Sequence, residues 1–223
     1  MSSSSTTDAA EWRPKAVIFD LLTGLLDSWT LWDASTPSGT PKEGRLWRAR
    51  YLEVTFNQRT YAPYEDFVRQ AARDVGLPDS APEALLRNWH TLKPWPEVAD
   101  VLRKLKARGY KLGIVTNCSK ELGHAAAERA GNPGMGMLID TVVTGEESGF
   151  YKPTREAYQA ILDAMGVEAS EALFVAGSAG DVGGATRAGM KVVWHNHVGL
   201  ANKGDAVPLK EAKSLDGALA GFL

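Results

Sequence analysis

Polar side chains that could take part in catalysis stand at the ends of short apolar runs in this sequence. The runs are KAVIFDLL (15–22), KLGIVTN (111–117) and ALFVAGS (172–178). In addition, a lysine stands directly before Pro153, after a short stretch of glycine and aromatic residues. The residues of interest are Asp20, Thr116, Asn117, Lys152, Ser178 and Asp181. Two carboxylates, a lysine and hydroxyl groups are the types that serve nucleophilic and acid–base catalysis.

Five of these six residues also have a purely structural interpretation. Asp20 could cap a turn, Lys152 could be a solvated surface lysine, and Asp181 could be the N-cap of a following helix. Thr116 and Asn117 could satisfy backbone groups at a strand end. An acid inside a buried apolar run is costly unless it is paired or functional, so the combination favours a site.

The surrounding pattern indicates how these residues are positioned. Continuous apolar, β-branched runs are typical of strands buried on both faces, and here they alternate with helical patterns such as 96–108, 119–130 and 182–189. That alternation predicts an α/β fold with a doubly wound, Rossmann-like parallel sheet. Ligands bind outside the carboxyl ends of such strands, so the polar residues should meet at one edge.

The segment between the first strand and Pro96 has a different pattern. Three helical stripes, at about 44–60, 64–75 and 82–92, occur there without a strand pattern. We therefore expect a small all-helical cap domain at 29–95, inserted into a core domain formed by 14–28 and 96–223. Its tryptophans would either pack in the interior of the cap or line a substrate pocket. Residues 1–13 are rich in Ser and Thr and are expected to form a flexible tail.

Composition excludes several classes of protein. The 223 residues carry a net charge of −2, which does not suit nucleic acid as the main partner. Cys118 is the single cysteine, so neither an internal disulfide nor a cysteine-based zinc site is expected. No apolar run reaches the length of a membrane span, and the N-terminal residues lack a signal-peptide core, so we expect a cytoplasmic protein without membrane partners.

Four segments together resemble the motifs of the haloacid dehalogenase superfamily. They are VIFDLLTGLLD (17–27), IVTN (114–117), YKPTREAY (151–158) and VAGSAGDVGGATRAGM (175–190). The resemblance covers about residues 15–200, and the helical insert stands where that family has its cap. It implies that Asp20 is the nucleophile, that Thr116 holds an anionic oxygen of the substrate, that Lys152 neutralises charge and that Asp181 completes the site.

Within the superfamily, the sequence is most similar to the L-2-haloacid dehalogenases. Phosphatases carry an acid two residues after the nucleophile and an acidic pair in motif four, where this chain has Leu22 and Gly177. Mg²⁺ needs carboxylate oxygens, so no metal cofactor is expected. Tyr158 follows Lys152 by six residues, and Leu46-Trp47-Arg48 resembles the first cap helix of that family.

The resemblance implies a covalent mechanism on a small anionic 2-haloacid. Asp20 would displace the halide and form an ester, which water would hydrolyse with help from Asp181. The substrate would be bound by Thr116, Asn117, Tyr158, Ser178, Arg48 and the backbone at Leu21 and Leu22. A homodimer through the cap helix is also implied.

The sequence departs from the family in motif one and in the cap. Asp20-Leu21-Leu22-Thr23-Gly24 replaces D-x-Y-G-T, so the threonine that supports the nucleophile is missing from its usual place. Gly39 stands roughly where the family has its halide-binding arginine, with Arg45 or Arg48 as substitutes. Two alternatives therefore stay open. One is a phosphatase or other ester hydrolase with displaced acid–base residues, and the other is a catalytically silent binding module.

Overall fold

The computed structural model describes residues 12–56, 58–131, 138–202 and 204–223. Across these ranges, six strands form one sheet in the spatial order β3-β2-β1-β4-β5-β6, and each neighbouring pair is parallel. The strands are β1 (Ala16–Phe19), β2 (Lys111–Thr116), β3 (Thr141–Thr144), β4 (Ala172–Ala176), β5 (Lys191–His195) and β6 (Lys210–Ala212). The predicted doubly wound parallel sheet is confirmed.

Strand β1 lies in the middle of the sheet, between β2 and β4. Val17 and Phe19 belong to the apolar cluster on one face of the sheet, and Ala16 and Ile18 belong to the cluster on the other. All four side chains are fully buried. This double burial explains why the first strand is a continuous apolar run, and it carries Asp20 to the centre of the carboxyl edge.

Helices cover both faces of this sheet. Those in the core are α5 (Val98–Ala107), α6 (Lys120–Gly131), α7 (Gly145–Ser148), α8 (Arg155–Met165), α9 (Ala179–Arg187) and α10 (Leu215–Ala218). Helices α5, α6 and α10 pack in the first cluster, and α8 and α9 pack in the second. Neither the short helix α7 nor the three-residue strand β6 was expected from the sequence.

The helices between β1 and α5 form the cap inserted after the first strand. They are α1 (Ser28–Ala34), α2 (Pro41–Phe56), α3 (Tyr64–Asp74) and α4 (Ser80–Arg87), followed by a 3₁₀ turn at Trp89–Thr91. Helices α2 to α4 correspond to the three predicted stripes. Helix α1 is additional, and the Asp27 carboxylate caps it by accepting from the Thr30 backbone N–H.

The cap is docked on the core through a tyrosine-rich contact. Tyr61 stacks on Tyr151, and the Tyr151 hydroxyl donates to the Ala62 carbonyl at 2.8 Å. The Tyr61 backbone N–H donates to the Gly149 carbonyl at 2.8 Å. Nearby, the Ser119 hydroxyl donates to the Glu65 carboxylate at 2.6 Å. The start of α3 is thus hydrogen-bonded to two core loops.

Residues 1–11 of the expected flexible tail lie outside the described residues. The last two tail positions contact the core: the Trp12 indole N–H donates to the Ser170 carbonyl, and the Arg13 guanidinium donates to the Gly221 carbonyl. Among the described residues, no helix has both the length and the apolar character that crossing a membrane requires.

Candidate active site

Asp20 begins the turn that follows β1, and its carboxylate is held on both oxygens. Oδ2 accepts hydrogen bonds from the Thr23 hydroxyl at 2.7 Å, the Thr23 backbone N–H at 3.1 Å and the Gly24 backbone N–H at 3.0 Å. Oδ1 accepts from the Lys152 ammonium at 2.8 Å. The side chain is 8% exposed, so these donors replace most of the water around a buried charge.

Thr23 therefore supplies a hydroxyl to Asp20 from one position earlier than the family pattern. Gly177, at the end of β4, makes this possible, because a Cβ atom at that position would overlap the Thr23 hydroxyl and the Gly24 nitrogen. The threonine in motif one and the glycine in motif four are complementary. The supporting hydroxyl is absent from its usual place in the sequence, and this turn provides it from Thr23.

Lys152 lies between the two carboxylates of the site. Its ammonium group is 2.8 Å from Asp20 Oδ1 and 3.2 Å from Asp181 Oδ2, and the residue is 4% exposed. Burial disfavours the charge of Lys152, but Asp181 and Asp20 together raise its pKa. Lys152 thus remains a cation and joins the end of β1 to the start of α9.

Asp181 is held by two further donors. The Tyr158 hydroxyl donates to Oδ1 at 2.7 Å, and the Ser178 hydroxyl donates to Oδ2 at 3.2 Å. Ser178 is also the N-cap of α9, where its Oγ accepts from the Asp181 backbone N–H. The structural interpretation of Asp181 as a helix cap does not hold, because Ser178 has that role.

The two carboxylates have pKa values that move in opposite directions. Burial raises the pKa of Asp181 above its usual value. Burial opposes the charge of Asp20 as well, but Lys152 and Thr23 outweigh it and lower the pKa from 3.8 to about 2. Two carboxylates whose pKa values differ in this way suit one permanently ionised nucleophile and one group that exchanges protons.

Thr116 and Asn117 lie at the end of β2, beside Asp20. The Asn117 side chain is tied to Lys152, since its amide donates to the Lys152 carbonyl at 3.0 Å and its oxygen accepts from the Lys152 N–H at 2.7 Å. The Thr116 hydroxyl donates weakly to the Cys118 sulfur at 3.3 Å. Both residues line the cavity next to Asp20.

Arg48 is the buried cation that the cap brings to the site. It is 6% exposed, its guanidinium lies 4.3 Å from the centre of the Trp29 ring, and it donates to the Ser28 hydroxyl at 2.6 Å. Ser28 in turn donates to the Leu22 carbonyl, which links the arginine to the turn after β1. Of the two substitutes considered for the halide-binding arginine, Arg48 faces Asp20, whereas Arg45 is exposed.

The cavity beside Asp20 has a volume of about 60 Å³ and lies between the cap and the core. Most of the predicted substrate-binding residues line it: Leu22, Arg48, Thr116, Asn117 and Ser178, together with Asp20, Lys152 and Asp181. Two do not: the Leu21 side chain packs in the apolar core, and Tyr158 lies behind Asp181, fully buried.

Several lining residues were not anticipated, namely Tyr51, Leu52, Phe56 and Leu200, whereas Trp29 is one of the cap tryptophans that were expected to pack or to line a pocket. Arg48, Leu52 and Phe56 are spaced by four residues along α2, so they share one face of the helix. That spacing is visible in the sequence. What it cannot reveal is that this face turns toward Asp20, because the orientation depends on how the cap docks.

A second set of residues braces the turn after β1 from behind. His195, at the end of β5, is fully buried, and its Nδ1 lies 2.9 Å from the Gly24 carbonyl oxygen. The Trp95 indole N–H donates to the Thr23 carbonyl at 3.2 Å. Burial lowers the pKa of His195, so the ring is neutral and the carbonyl partner places its proton on Nδ1.

The residues present do not fit a magnesium site of the phosphatase kind. Leu22 offers no carboxylate beside Asp20, and any side chain at Gly177 would overlap the turn that holds Asp20. Within the described ranges, His, Cys, Asp and Glu side chains do not gather in threes as metal ligands.

Comparison with known proteins gives the family. A sequence model of haloacid dehalogenase-like hydrolases matches residues 14–189. An (S)-2-haloacid dehalogenase of Pseudomonas sp. (strain CBS-3) is 31% identical over 196 residues, covering 82% of this chain and 85% of that protein. The chain belongs to the haloacid dehalogenase-like hydrolase family and is a hydrolase of that type.

Solved structures agree with this assignment. The crystal structure of an L-2-haloacid dehalogenase superimposes with a TM-score of 0.82 at 28% identity, over 95% of this chain and 99% of the other. A dehalogenase solved with an intermediate complex superimposes with a TM-score of 0.79 at 25% identity, over 93% and 96% of the two chains.

Proposed function

We propose that the protein hydrolyses small 2-haloacids without a metal ion, through an ester formed on Asp20. The observation that carries the proposal is the wall facing the nucleophile. Leu22 and Arg48 line the cavity where a phosphatase needs a proton donor, and Asp20 is ionised by its four donors. The printed names of the relatives, (S)- and L-2-haloacid dehalogenase, support the same chemistry.

In the first step, a carboxylate oxygen of Asp20 attacks C2 of the substrate. A carbon–oxygen bond forms, the carbon–halogen bond breaks, and the halide leaves with the bonding electron pair. Halide is a stable anion and needs no proton, so Leu22 at this position is compatible with the reaction. Arg48 offers a cation to the departing halide, and Thr116, Asn117 and the turn backbone at Leu21 and Leu22 bind the carboxylate.

In the second step, water attacks the carbonyl carbon of the Asp20 ester. Asp181 accepts one proton from the water and returns it to the departing alkoxide, which leaves as the 2-hydroxyacid. The oxygen from water stays in the Asp20 carboxyl group, which ionises and releases one proton. Tyr158 and Ser178 orient Asp181, and Lys152 stabilises the oxyanion formed on the way.

The charges of the site suit a monoanionic substrate. Asp20 and Asp181 are balanced by Lys152 and Arg48, so a haloacid adds one negative charge. Displacement then moves the charge of Asp20 onto the halide and leaves the total unchanged. A phosphate monoester would bring almost twice that charge into the same buried space without a further cation to offset it.

The test measures halide release from both enantiomers of 2-chloropropionate and from chloroacetate, with EDTA present. We expect release by the wild type, none by Asp20→Asn, and retained activity in Asp27→Asn, a matched change at the cap of α1. In Asp181→Asn, the peptide containing Asp20 should carry the added mass of the carboxyalkyl group of the substrate, because hydrolysis of the ester is slowed.

Other outcomes would overturn the proposal. Release by Asp20→Asn would remove the nucleophile from the argument. Turnover of phosphate esters with Mg²⁺, without dehalogenation, would establish the phosphatase alternative. No turnover of either class, with Asp20→Asn altering only stability, would favour the silent binding module.

A further inference from the structure

A second cavity adjoins the one beside Asp20, and we call it the side cavity. It has a volume of about 260 Å³, roughly four times that of the first. The two cavities share five lining residues, which form the boundary between them: Trp29, Leu52, Phe56, Ser178 and Leu200. The proposed function makes no use of this space.

In the proposed reaction, the reacting end of a haloacid occupies the small cavity. Asp20, Lys152 and Arg48 border its 60 Å³, and the carboxylate, C2 and the halogen must all fit there. A long substituent on C2 then extends beyond this space. Because the two cavities adjoin at the five shared residues, this substituent enters the side cavity.

The side cavity is lined mainly by apolar groups. Leu52, Phe56, Val198 and Leu200 line it, together with two positions of little or no side chain, Ala49 on α2 and Gly180 on α9. The Phe56 ring packs directly on Gly180, so a Cβ atom at that position would overlap the ring. Arg45 and Glu53, of opposite sign, both stand on exposed positions of α2, so the lining carries no excess of one charge.

We propose that the side cavity binds an unbranched alkyl substituent on C2, which makes medium-chain 2-haloalkanoates the preferred substrates. This inference rests on the proposed dehalogenation at Asp20. The chemistry is unchanged: the carbon–halogen bond still breaks in the small cavity, while the alkyl chain is buried between α2 and the start of α9. Ala49 and Gly180 are then specificity-determining positions.

The test compares halide release from 2-bromopropionate, 2-bromobutanoate and 2-bromohexanoate. All three react at a secondary carbon, so their intrinsic reactivity is matched and the chain length is the variable. Burial of each methylene should raise kcat/KM about fourfold, which gives roughly sixtyfold between the propionate and the hexanoate when all three added groups are buried. Inhibition by 2-hydroxyhexanoate and 2-hydroxypropionate should show the same order without requiring chemistry.

Two variants on α2 separate this effect from general damage to the cap. Ala49→Phe narrows the side cavity and should abolish the advantage of the hexanoate over the propionate. Leu46→Phe adds an aromatic ring at an exposed position of the same helix that lines neither cavity, and it should keep the advantage.

Failure of this inference is distinct from failure of the proposed function. Release from 2-bromopropionate with equal or slower reaction of the hexanoate would overturn the alkyl site and leave dehalogenation intact. A preference for a chain that ends in a carboxylate would also overturn it, since Arg45 would then be the partner. No release from any of the three acids would overturn the proposed function itself.

Discussion

Replacing Tyr158 by Phe tests the role of Asp181 directly. The substitution removes the hydroxyl that donates to Asp181 Oδ1 at 2.7 Å and leaves the fully buried ring in place. A hydrogen bond to a charged group is worth about 1.5–3 kcal/mol. At 1.36 kcal/mol per pKa unit, its loss should raise the pKa of Asp181 by about one to two units.

The sign of the effect follows from which form of Asp181 is active. Burial already raises this pKa, and the Tyr158 hydroxyl opposes the rise, so the variant protonates at a higher pH. If ionised Asp181 is the base for ester hydrolysis, the acidic limb of kcat should move up by about one to two pH units. The free energy of unfolding at neutral pH should fall by about 1.5–3 kcal/mol, and the deficit should shrink as the pH is lowered.

Two measurements check this prediction. The first is kcat for halide release from 2-bromopropionate across the acidic limb, and the second is urea unfolding at several pH values. Tyr110→Phe, which removes a hydroxyl away from the site, serves as the control. An acidic limb that stays in place, or moves to lower pH, while stability falls as expected would refute Asp181 as the base.

Three further predictions concern the supports of Asp20. Gly177→Ala should displace the Thr23 hydroxyl and lower kcat about tenfold. Adding Thr23→Gly to this variant should recover none of the lost hydrogen bond. A wild-type kcat in Gly177→Ala alone would contradict the turn geometry. Lys152→Met should cost about 3–5 kcal/mol of unfolding free energy at neutral pH, with a smaller loss in acid, because protonated carboxyl groups need no cation. In His195→Asn, the amide can still donate to the Gly24 carbonyl. This variant should therefore keep a higher kcat than His195→Leu, even if the leucine variant has the larger free energy of unfolding. The opposite order of kcat would show that His195 has a packing role only.

The fold and the meeting of the candidate residues at one edge of the sheet were largely predictable because their signals are local. A run buried on both faces must be continuous and apolar, and an acid such as Asp20 in that run stands out. Parallel strands then bring Thr116, Lys152 and Asp181 to the same edge without any knowledge of their side chains. Helix α1 was missed although Asp27 and Thr30 form a readable cap, because its seven residues are few for periodicity to show.

The features that sequence could not supply are contacts between distant segments. Thr23 reaches Asp20 only because Gly177, more than 150 residues later, leaves room for the turn. Strand β6 is short, and its residues Lys210 and Glu211 are exposed, so no apolar pattern marks it. The cavities depend on how the cap meets the core, which follows from contacts such as Tyr61 on Tyr151.

The four-residue spacing on α2 places residues that line the cavities on the cap, apart from the candidate catalytic residues on the core. The groups assigned to the proposed reaction, Asp20, Lys152 and Asp181, stand on the turn after β1, the loop before α8 and the first turn of α9, and each is held by neighbours in the core. Arg48, Leu52 and Phe56 stand on a single helical face, and Ala49 and Arg45 lie beside it on the same helix. Under the proposed function, substitutions along this face change which acids are accepted while the strand that carries Asp20 keeps its packing, so new substrate ranges can evolve here without rebuilding the reaction.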